Sequence, residues 1–414
     1  MARPLLLVIF AAWIAAIAAG CRGEPERFTT RELPPGYQAV LDEVAATRGE
    51  PAPTGLRLGF VRRADLPELL QRTRSPDEAA WFERVTPVYR LLGLIGPGES
   101  LEAINRQLLT AAAGALYVPG RREIWLVSDG EPPASPADLP AWQRRLLAHE
   151  FAHALQDAGA NLPARLAAAG TIDERLALLA LLEGDATWTE SQWTARSLLP
   201  ALAPGAALEP PAADASEPPA ILREWQFLYV NGAEWAAITR EENPGAIAAV
   251  LSGAARLTTA EVLHPSLRAT GWAPEEPPFP AFEGEAWRVL DAGTLGEFVL
   301  QNALRQRLPA LAAVQAAAGW TGDRYAFVRG DGGDEALAVR ARFRDAKEAG
   351  EFAARQREWL ATAGAVEAGA DAVTASLPDG RIVLQFEPND RDVTFIIASS
   401  RSLAEAIAGV LRNQ

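Results

Sequence analysis

The strongest constraint on this chain is the segment WQRRLLAHEFAHALQD, which holds two of its three histidines, His149 and His153. Positions i and i+4 of an α-helix share a face, so both imidazoles can bind one metal ion if the segment is helical. Glu150 then projects towards the same point, where it can act as a general base on a water molecule. We therefore predict a helix at 141–158 that carries a zinc site with His149 and His153 as ligands.

The third zinc ligand must come from elsewhere, because catalytic zinc sites use three protein ligands and leave one position open. A histidine six residues after His153 is excluded, since Gly159 occupies that position. Glu183 lies 30 residues after His153 (183 minus 153) in the apolar run ALLALLEGDA. A carboxylate there needs a compensating partner, which a metal ion supplies. We predict Glu183 as the third ligand; the alternatives are a carboxylate that faces water, and His264 as the ligand in its place.

Glu183 falls in a second predicted helix, at about 173–197. Gly184 has no side chain beyond a hydrogen, so it would allow this helix to approach the metal helix closely.

Four segments taken together resemble one group of proteins. They are HExxHALQD at 149–157, EGDA at 183–186, TTAEVLHP at 258–265 and GWTGDR at 319–324. In this combination the chain resembles exported metallopeptidase-like proteins of bacteria and archaea with an HExxH zincin site of the gluzincin type. The resemblance covers most of the mature chain. It implies a zincin-like α+β catalytic unit, a Zn²⁺ cofactor and a peptide or protein substrate.

The resemblance also implies roles for individual residues. Glu150 would accept a proton from water and pass it to the leaving amine. The oxyanion that develops on the scissile carbonyl needs a donor, for which His264 and Tyr229 are the candidates; a packed, structural histidine is the alternative for His264. Many gluzincins have an aspartate four residues after the glutamate ligand, but this chain has Thr187 there. The candidates to hold a ligand imidazole are therefore Asp157, Asp173 and Asp185.

Alternating helical and extended patterns predict an α+β fold in two units. The first, 36–270, would be the zincin-like catalytic domain. Its apolar runs at Ala115–Val127 predict a β-hairpin, which could offer an edge strand to a bound peptide. A linker at 271–285 would lead to a smaller C-terminal domain at 286–414.

The C-terminal domain is predicted to contain a helix at 293–318 followed by an α+β tail. GWTGDR is predicted to form a turn in which Asp323 and Arg324 make structural contacts. The Pro/Ala-rich segment at 200–219 is predicted to be an exposed loop.

The first residues predict a lipoprotein signal peptide at 1–20. Arg3 precedes an apolar run, Leu5–Ala19, that is short for a membrane-spanning helix. Cys21, the only cysteine, follows Ala-Ala-Gly, which resembles a bacterial lipobox and implies lipidation of Cys21. We therefore expect an extracytoplasmic protein that is anchored to the membrane by this lipid, through a linker at 21–35. An ordinary cleaved signal peptide is the alternative.

The net charge of −14, from 39 basic and 53 acidic residues, argues against nucleic acid as a partner. Taken together, the sequence predicts a membrane-anchored zinc metallopeptidase. Zinc-dependent hydrolysis of a different bond, or an aminopeptidase restricted to short peptides, is a second possibility. The alternative from another class is a catalytically inactive zincin-fold surface lipoprotein that acts as a binding or scaffold protein. The presence of Glu150 together with all three predicted ligands favours an active enzyme.

Overall fold

A computed structural model describes residues 28–130, 133–202, 208, 219–282, 286–369 and 371–412. The predicted signal peptide at 1–20, the predicted lipidation site Cys21 and most of the predicted loop at 200–219 lie outside these residues. Across the described ranges, no helix combines the length and apolar character that crossing a membrane requires.

The described residues form a mixed α+β protein in which helices predominate. The α-helices are α1 (Pro35–Arg48), α2 (Leu66–Thr73), α3 (Pro76–Leu91), α4 (Leu101–Ala112), α5 (Ala141–Ala160), α6 (Leu162–Ala168), α7 (Ile172–Trp193), α8 (Pro219–Gln226), α9 (Gly232–Glu242), α10 (Gly245–Leu251), α11 (Thr259–Leu263), α12 (Ser266–Ala269), α13 (Glu297–Leu304), α14 (Ala310–Ala317), α15 (Ala346–Ala363) and α16 (Arg401–Arg412). The strands are β1 (Thr30–Glu32), β2 (Arg57–Val61), β3 (Ala115–Val118), β4 (Glu123–Val127), β5 (Trp287–Gly293), β6 (Trp320–Gly330), β7 (Glu335–Phe343), β8 (Ala365–Ala368), β9 (Ala372–Ser376), β10 (Ile382–Phe386) and β11 (Asp392–Ala398). Short 3₁₀ turns lie at Arg63–Asp65, Pro136–Asp138 and Leu199–Ala201, and π-helical turns at Thr194–Leu198 and Phe227–Asn231.

A small mixed sheet precedes the metal helix. Its strand order is β1-β2-β4-β3, with β2 parallel to β4 and β3 antiparallel to β4. The predicted hairpin is therefore confirmed, and β3 is an outer strand of the sheet. Gln143 on α5 donates hydrogen bonds to the carbonyls of Gly114 and Val127, at 3.0 and 2.7 Å, which fastens the helix to the hairpin. Every residue of β3 is buried, so pairing of a peptide along this strand stays a prediction.

The second sheet is antiparallel throughout and forms the C-terminal domain. Its strand order is β5-β6-β7-β11-β10-β9-β8. Alternate residues point to opposite faces of a strand, and both faces here are covered. Phe327 on β6 lies in a core that also contains Phe352 of α15, whereas its neighbour Val328 lies in a core that contains Ile407 of α16.

The C-terminal domain is not separated from the rest of the molecule by a free linker. The largest hydrophobic core runs from α7 through α13 and α15 to the inner face of the seven-stranded sheet. Part of the predicted linker is itself packed. Phe279 and Phe282 belong to the hydrophobic core between the sheet and α16. The Glu275 backbone N–H donates to the Thr321 carbonyl at 2.7 Å. The two units thus share one continuous interior.

Two predictions for this half of the chain are wrong, and two strands were missed. The helix expected at 293–318 is the end of β5 followed by two helices, α13 and α14, because Pro309 begins a new helix after an irregular turn. GWTGDR does not form a turn but opens strand β6, with a β-bulge between Trp320 and Gly322. The edge strands β5 and β8 were not predicted at all.

Gly184 serves a different contact from the predicted one. A Cβ atom at Gly184 would lie 2.0 Å from the carbonyl carbon of Gly232, on α9, and one at Gly232 would lie 2.1 Å from the carbonyl oxygen of Ala180. The two glycines therefore let the backbones of α7 and α9 touch. The helix that Gly184 admits is α9 and not the metal helix α5, although α7 packs against both.

Candidate metal centre

The HExxH helix is set by strong local signals. α5 contains no β-branched residue, begins after Pro140, and ends at Asn161, whose left-handed φ of 52° and N–H bond to the Asp157 carbonyl stop the helix. The helix is buried along most of its length. His149, Glu150 and His153 are each at most 1 % exposed, so the reactive groups lie inside the protein rather than on its surface.

Glu183 is carried by α7, which crosses α5. The Thr171 side chain caps this helix by accepting the Glu174 N–H at 3.1 Å, and Asp173 and Glu174 in the first turn suit the helix dipole. Glu183 is 2 % exposed, so the predicted alternative of a carboxylate that faces water is wrong.

The three predicted ligands converge. Glu183 Oε2 lies 3.2 Å from His149 Nε2 and 3.5 Å from His153 Nε2. One ligand atom from each residue lies within 4.8 Å of the other two, so this group could hold a metal ion. His264, the alternative third ligand, is not part of the group.

The donor set fits a zinc ion. Tetrahedral zinc, with bonds of about 2.0–2.1 Å, separates its ligand atoms by about 3.3 Å, close to the two Glu183 distances. Two imidazole nitrogens and one carboxylate oxygen are also a common ligand set of catalytic zinc. The protein groups alone produce a strong mutual attraction at the site: burial raises the pKa of Glu183, but His153 and His149 outweigh it and lower that pKa to about 2.

His149 is held from its far side by a second carboxylate. Its Nδ1 lies 3.2 Å from Glu190 Oε2, and Arg145 donates to the other oxygen, Glu190 Oε1, at 2.6 and 2.7 Å. All three groups are buried. Burial alone would lower the pKa of His149, but hydrogen bonds to Glu183 and Glu190 raise it to about 10. A metal ion would displace the proton on Nε2, and with the remaining proton on Nδ1 the ring would present Nε2 as the ligand atom.

His153 is oriented by an amide instead. Its Nδ1 lies 2.9 Å from Gln156 Oε1, and the Gln156 amide donates to Asp185 Oδ2 at 2.9 Å. Two arginines balance the buried Asp185: Arg48 at 2.6 Å and Arg240 at 2.5 Å. Burial lowers the pKa of His153, which favours the neutral imidazole that binds metals.

The predicted aspartates do not hold an imidazole directly. Asp185 acts one step away, through Gln156. Asp157 accepts the Tyr117 hydroxyl at 2.7 Å and so ties β3 to the metal helix. Asp173 accepts hydrogen bonds from Thr259 at the other end of α7. Sequence reasoning therefore missed Glu190 and Gln156. Glu190 lies seven residues, or two helical turns, after Glu183, and this i, i+7 spacing could have pointed to it.

Glu150 has the surroundings of a general base. Both of its carboxylate oxygens are buried without a hydrogen bond of good geometry to any described residue. Burial raises the pKa of Glu150 to about 8; the charge of His149 and the Tyr117 backbone oppose that shift, while the charge of Glu183 adds to it. A carboxylate with a pKa near neutrality, held one residue from a metal ligand, can accept and return a proton.

The structure places the two predicted oxyanion donors in different surroundings. Tyr229 lies in the π-helical turn Phe227–Asn231, with its ring centroid 6.1 Å from that of His149. The other candidate, His264, pairs through Nε2 with the buried Glu297 at 2.8 Å, on the helix α13. Tyr229 therefore borders the metal group, whereas His264 forms an ion pair with Glu297 of the C-terminal half of the chain.

The two segments TTAEVLHP and GWTGDR meet at the junction between the halves. Thr259 binds Asp173 at the start of α7, and its hydroxyl also accepts the Phe298 N–H of α13 at 3.3 Å. Asp323 accepts the N–H groups of Leu295 and Gly296 at 2.8 and 2.9 Å. The predicted structural role of Asp323 is confirmed, although its segment is a strand and not a turn.

Comparison with protein families matches residues 287–408 to a domain of unknown function, DUF8575. The match spans the seven-stranded sheet with α13, α14, α15 and most of α16, less than one third of the chain, and contains none of the metal-site residues. No curated protein and no solved structure matches the chain.

Proposed function

We propose that this protein is a zinc-dependent metallopeptidase with a zincin-like site, which hydrolyses peptide bonds with Glu150 as general base. One observation carries the proposal. His149, His153 and Glu183 converge from two helices, and the unpaired carboxylate of Glu150 lies beside them. Structural zinc sites close all four positions with protein ligands, whereas three ligands beside a buried base suit a hydrolytic site.

Each residue has a defined task in this proposal. His149, His153 and Glu183 would hold the zinc ion, while Glu190 and Gln156 keep the two imidazoles in their orientation. When bound, zinc supplies a Lewis acid that polarises the substrate carbonyl and acidifies water. Glu150 takes the proton from water and returns it to the leaving amine, for which a pKa near neutrality is suited.

Tyr229 is the better placed of the two candidates for the oxyanion donor. Its ring lies next to that of His149, and it lines the same cavity as the metal ligand Glu183, which supports Tyr229 as the donor to a substrate carbonyl. The anchoring of the chain to a membrane through Cys21, its extracytoplasmic location and a peptide or protein substrate belong to the same proposal and rest on the sequence.

The test is hydrolysis of a peptide library by purified protein and by Glu150→Gln, with zinc content measured on both. We expect zinc to be retained in Glu150→Gln and the rate to fall by about 10²–10⁴-fold, the usual contribution of a general base. Glu234→Gln, the same chemical change at an exposed position of α9, is the matched control and should be fully active. Equal rates for Glu150→Gln and the unchanged protein would rule out this mechanism. Absence of cleavage by either, with zinc bound, would favour the binding or scaffold protein.

A further inference from the structure

A cavity of about 150 Å³ lies in the helical part of the molecule. Side chains from α2, α3, α4, α6, α7 and the helical segment at 219–231 line it, and most of them are apolar. The cavity reaches the metal ligand Glu183 and the neighbouring Tyr229. His149, Glu150 and His153 are not among its lining residues, so a substrate side chain in this cavity would approach the reacting bond from the side of Glu183.

Three neighbouring aromatic side chains lead from the cavity to the candidate metal centre. The Trp225 ring, which lines the cavity, lies 6.2 Å from the Tyr229 ring, which in turn lies 6.1 Å from the His149 imidazole. Trp225 is fixed by its indole N–H, which donates to Asn105 at 3.0 Å. The residue before Trp225 is Glu224, so the same helix α8 presents a carboxyl group to the cavity.

Glu224 is a buried carboxylic acid that is not paired with a cationic side chain of any described residue. It is 8 % exposed and accepts the hydroxyl of buried Tyr89 at 2.8 Å through one oxygen, Oε2. Within the described ranges it forms no ion pair, and its hydrogen bond from Tyr89 only partly opposes the effect of burial. Burial raises the pKa of Glu224 to about 7, which measures the cost of ionising it without a positive partner.

Two of the arginines that line the cavity already have an acidic partner. Arg74 pairs with Glu102 at 2.7 Å, and Arg106 lies 3.9 Å from the same carboxylate. Arg175 donates to a backbone carbonyl and lies over the Trp81 ring at 4.8 Å. Burial raises the pKa of Glu78 to about 7, which the charge of Arg175 opposes only in part. A basic ligand would therefore find two buried carboxyl groups in this cavity that form no ion pair with a described residue, Glu224 and Glu78.

We propose that this cavity is the subsite for a lysine or arginine side chain of the substrate, adjacent to the cleaved bond, and that Glu224 determines this specificity. The proposal rests on the peptidase function proposed above. The apolar walls suit the methylene stem of a basic side chain, and Glu224 supplies the charge-assisted hydrogen bond at its end. Acidic side chains are disfavoured by repulsion from the same carboxylate.

The test compares peptides that differ only by arginine against citrulline at the position next to the cleavage site, on the unchanged full-length protein, Glu224→Gln and Glu234→Gln. We expect kcat/KM to favour arginine by about 10–100-fold, the range for a hydrogen bond to a charged group. Glu224→Gln should reduce this ratio to within about twofold, and Glu234→Gln should leave it intact. Because the ratio compares two peptides on one sample, it does not depend on the fraction of folded protein.

A separate binding measurement distinguishes failure of this proposal from failure of the peptidase proposal. Isothermal titration of Glu150→Gln with the same two peptides should show tighter binding of the arginine peptide, and Glu150→Gln/Glu224→Gln should lose the difference. That result would support the subsite even if no peptide were cleaved. Cleavage without preference for arginine over citrulline, or with preference for an acidic residue, would overturn the subsite and leave the peptidase in place.

Discussion

The two imidazoles of the metal site are held by partners of different charge. His149 faces the carboxylate of Glu190, whereas His153 faces the neutral amide of Gln156. The charge of Asp185 reaches His153 only through that amide and is shared with two arginines. A carboxylate behind an imidazole increases its basicity as a ligand. Glu190 should therefore increase metal affinity although it is not itself one of the three ligands.

Glu190→Gln should weaken zinc binding by about 10–100-fold, because the amide keeps an acceptor for the imidazole but removes the negative charge behind it. The measurement is competition for zinc with a chelator of known affinity, at fixed pH. Glu234→Gln provides the matched control on the protein surface. An unchanged zinc affinity in Glu190→Gln would show that Glu190 serves only to pair with Arg145.

Among the elements, α7 links the site to the fold. It carries Glu183 and Glu190, packs against the metal helix α5, and touches the backbone of α9 where Gly184 meets Gly232. A shift of α7 would move both carboxylates relative to the histidines. The close glycine contact therefore fixes the depth at which Glu183 enters the site.

Gly184→Ala should destabilise the protein by at least about 1–3 kcal/mol, the usual cost of overpacking, because the added Cβ would meet backbone atoms that have no room to yield. Gly350→Ala is the matched control: this glycine lies inside α15 with open space around its Cβ position, so alanine should stabilise the helix by about 0.5–1 kcal/mol. Urea denaturation measures both. A Gly184→Ala variant as stable as the unchanged protein would contradict the α7–α9 contact.

How well the sequence predicts an element depends on how much of that element is buried. The metal helix, α7 and the hairpin were predicted correctly because their apolar patterns and end signals agree. Strand β8 has no buried residue and β5 has one, so neither has the alternation that identifies a strand. Gly184 was recognised as a place of close approach, but a glycine does not specify which helix it contacts.

The parts of the candidate site that depend on local sequence were predictable, and the parts that depend on tertiary structure were not. The spacing of His149, Glu150 and His153 is local, and Glu183 stands out as an acid in an apolar run. Glu190 and Gln156 were missed because their role depends on where α5 and α7 cross, which is a tertiary property. The contacts of Tyr229 and His264 depend likewise on elements distant in sequence.

At the scale of the whole molecule, the N-terminal half, which carries the candidate metal site, and the C-terminal sheet are joined by buried carboxyl groups. Asp173 and Asp323 lie at this junction and are 2 % and 1 % exposed. Asp173 accepts hydrogen bonds from Thr259, and Asp323 accepts one from the Gly296 N–H, which lies next to Asp173. Burial raises the pKa of Asp173 to about 7 and that of Asp323 to about 6, and backbone or hydroxyl donors only partly oppose it. The folded state therefore binds protons at these positions more tightly than the unfolded chain does.

This raised pKa gives the free energy of unfolding a defined pH dependence. Because the folded pKa of Asp173 exceeds its ordinary value of 3.8, its contribution is fully present below that value and is lost as the pH rises through 7. Asp173→Asn, which keeps an oxygen to accept from Thr259, should remove that loss. Relative to the unchanged protein, the variant should gain on the order of 1–3 kcal/mol between pH 5 and pH 8.

Urea denaturation of both proteins at pH 5 and pH 8 measures this gain. The charged neighbours of Asp173 are Asp323 and Glu174, so both should be kept unchanged in the comparison. A stability difference between Asp173→Asn and the unchanged protein that is the same at the two pH values would show that Asp173 is already ionised in the folded protein.

If His149, His153 and Glu183 bind one zinc ion, the zinc content of purified protein should depend on Glu183. We would measure it beside Glu183→Ala and the surface control Glu234→Ala. We expect about one zinc per chain in the unchanged protein and in Glu234→Ala, and a loss of most of it in Glu183→Ala, since catalytic zinc requires three protein ligands. Failure of the unchanged protein to bind zinc on titration would contradict the site altogether. Full zinc content in Glu183→Ala would show that the third ligand lies elsewhere.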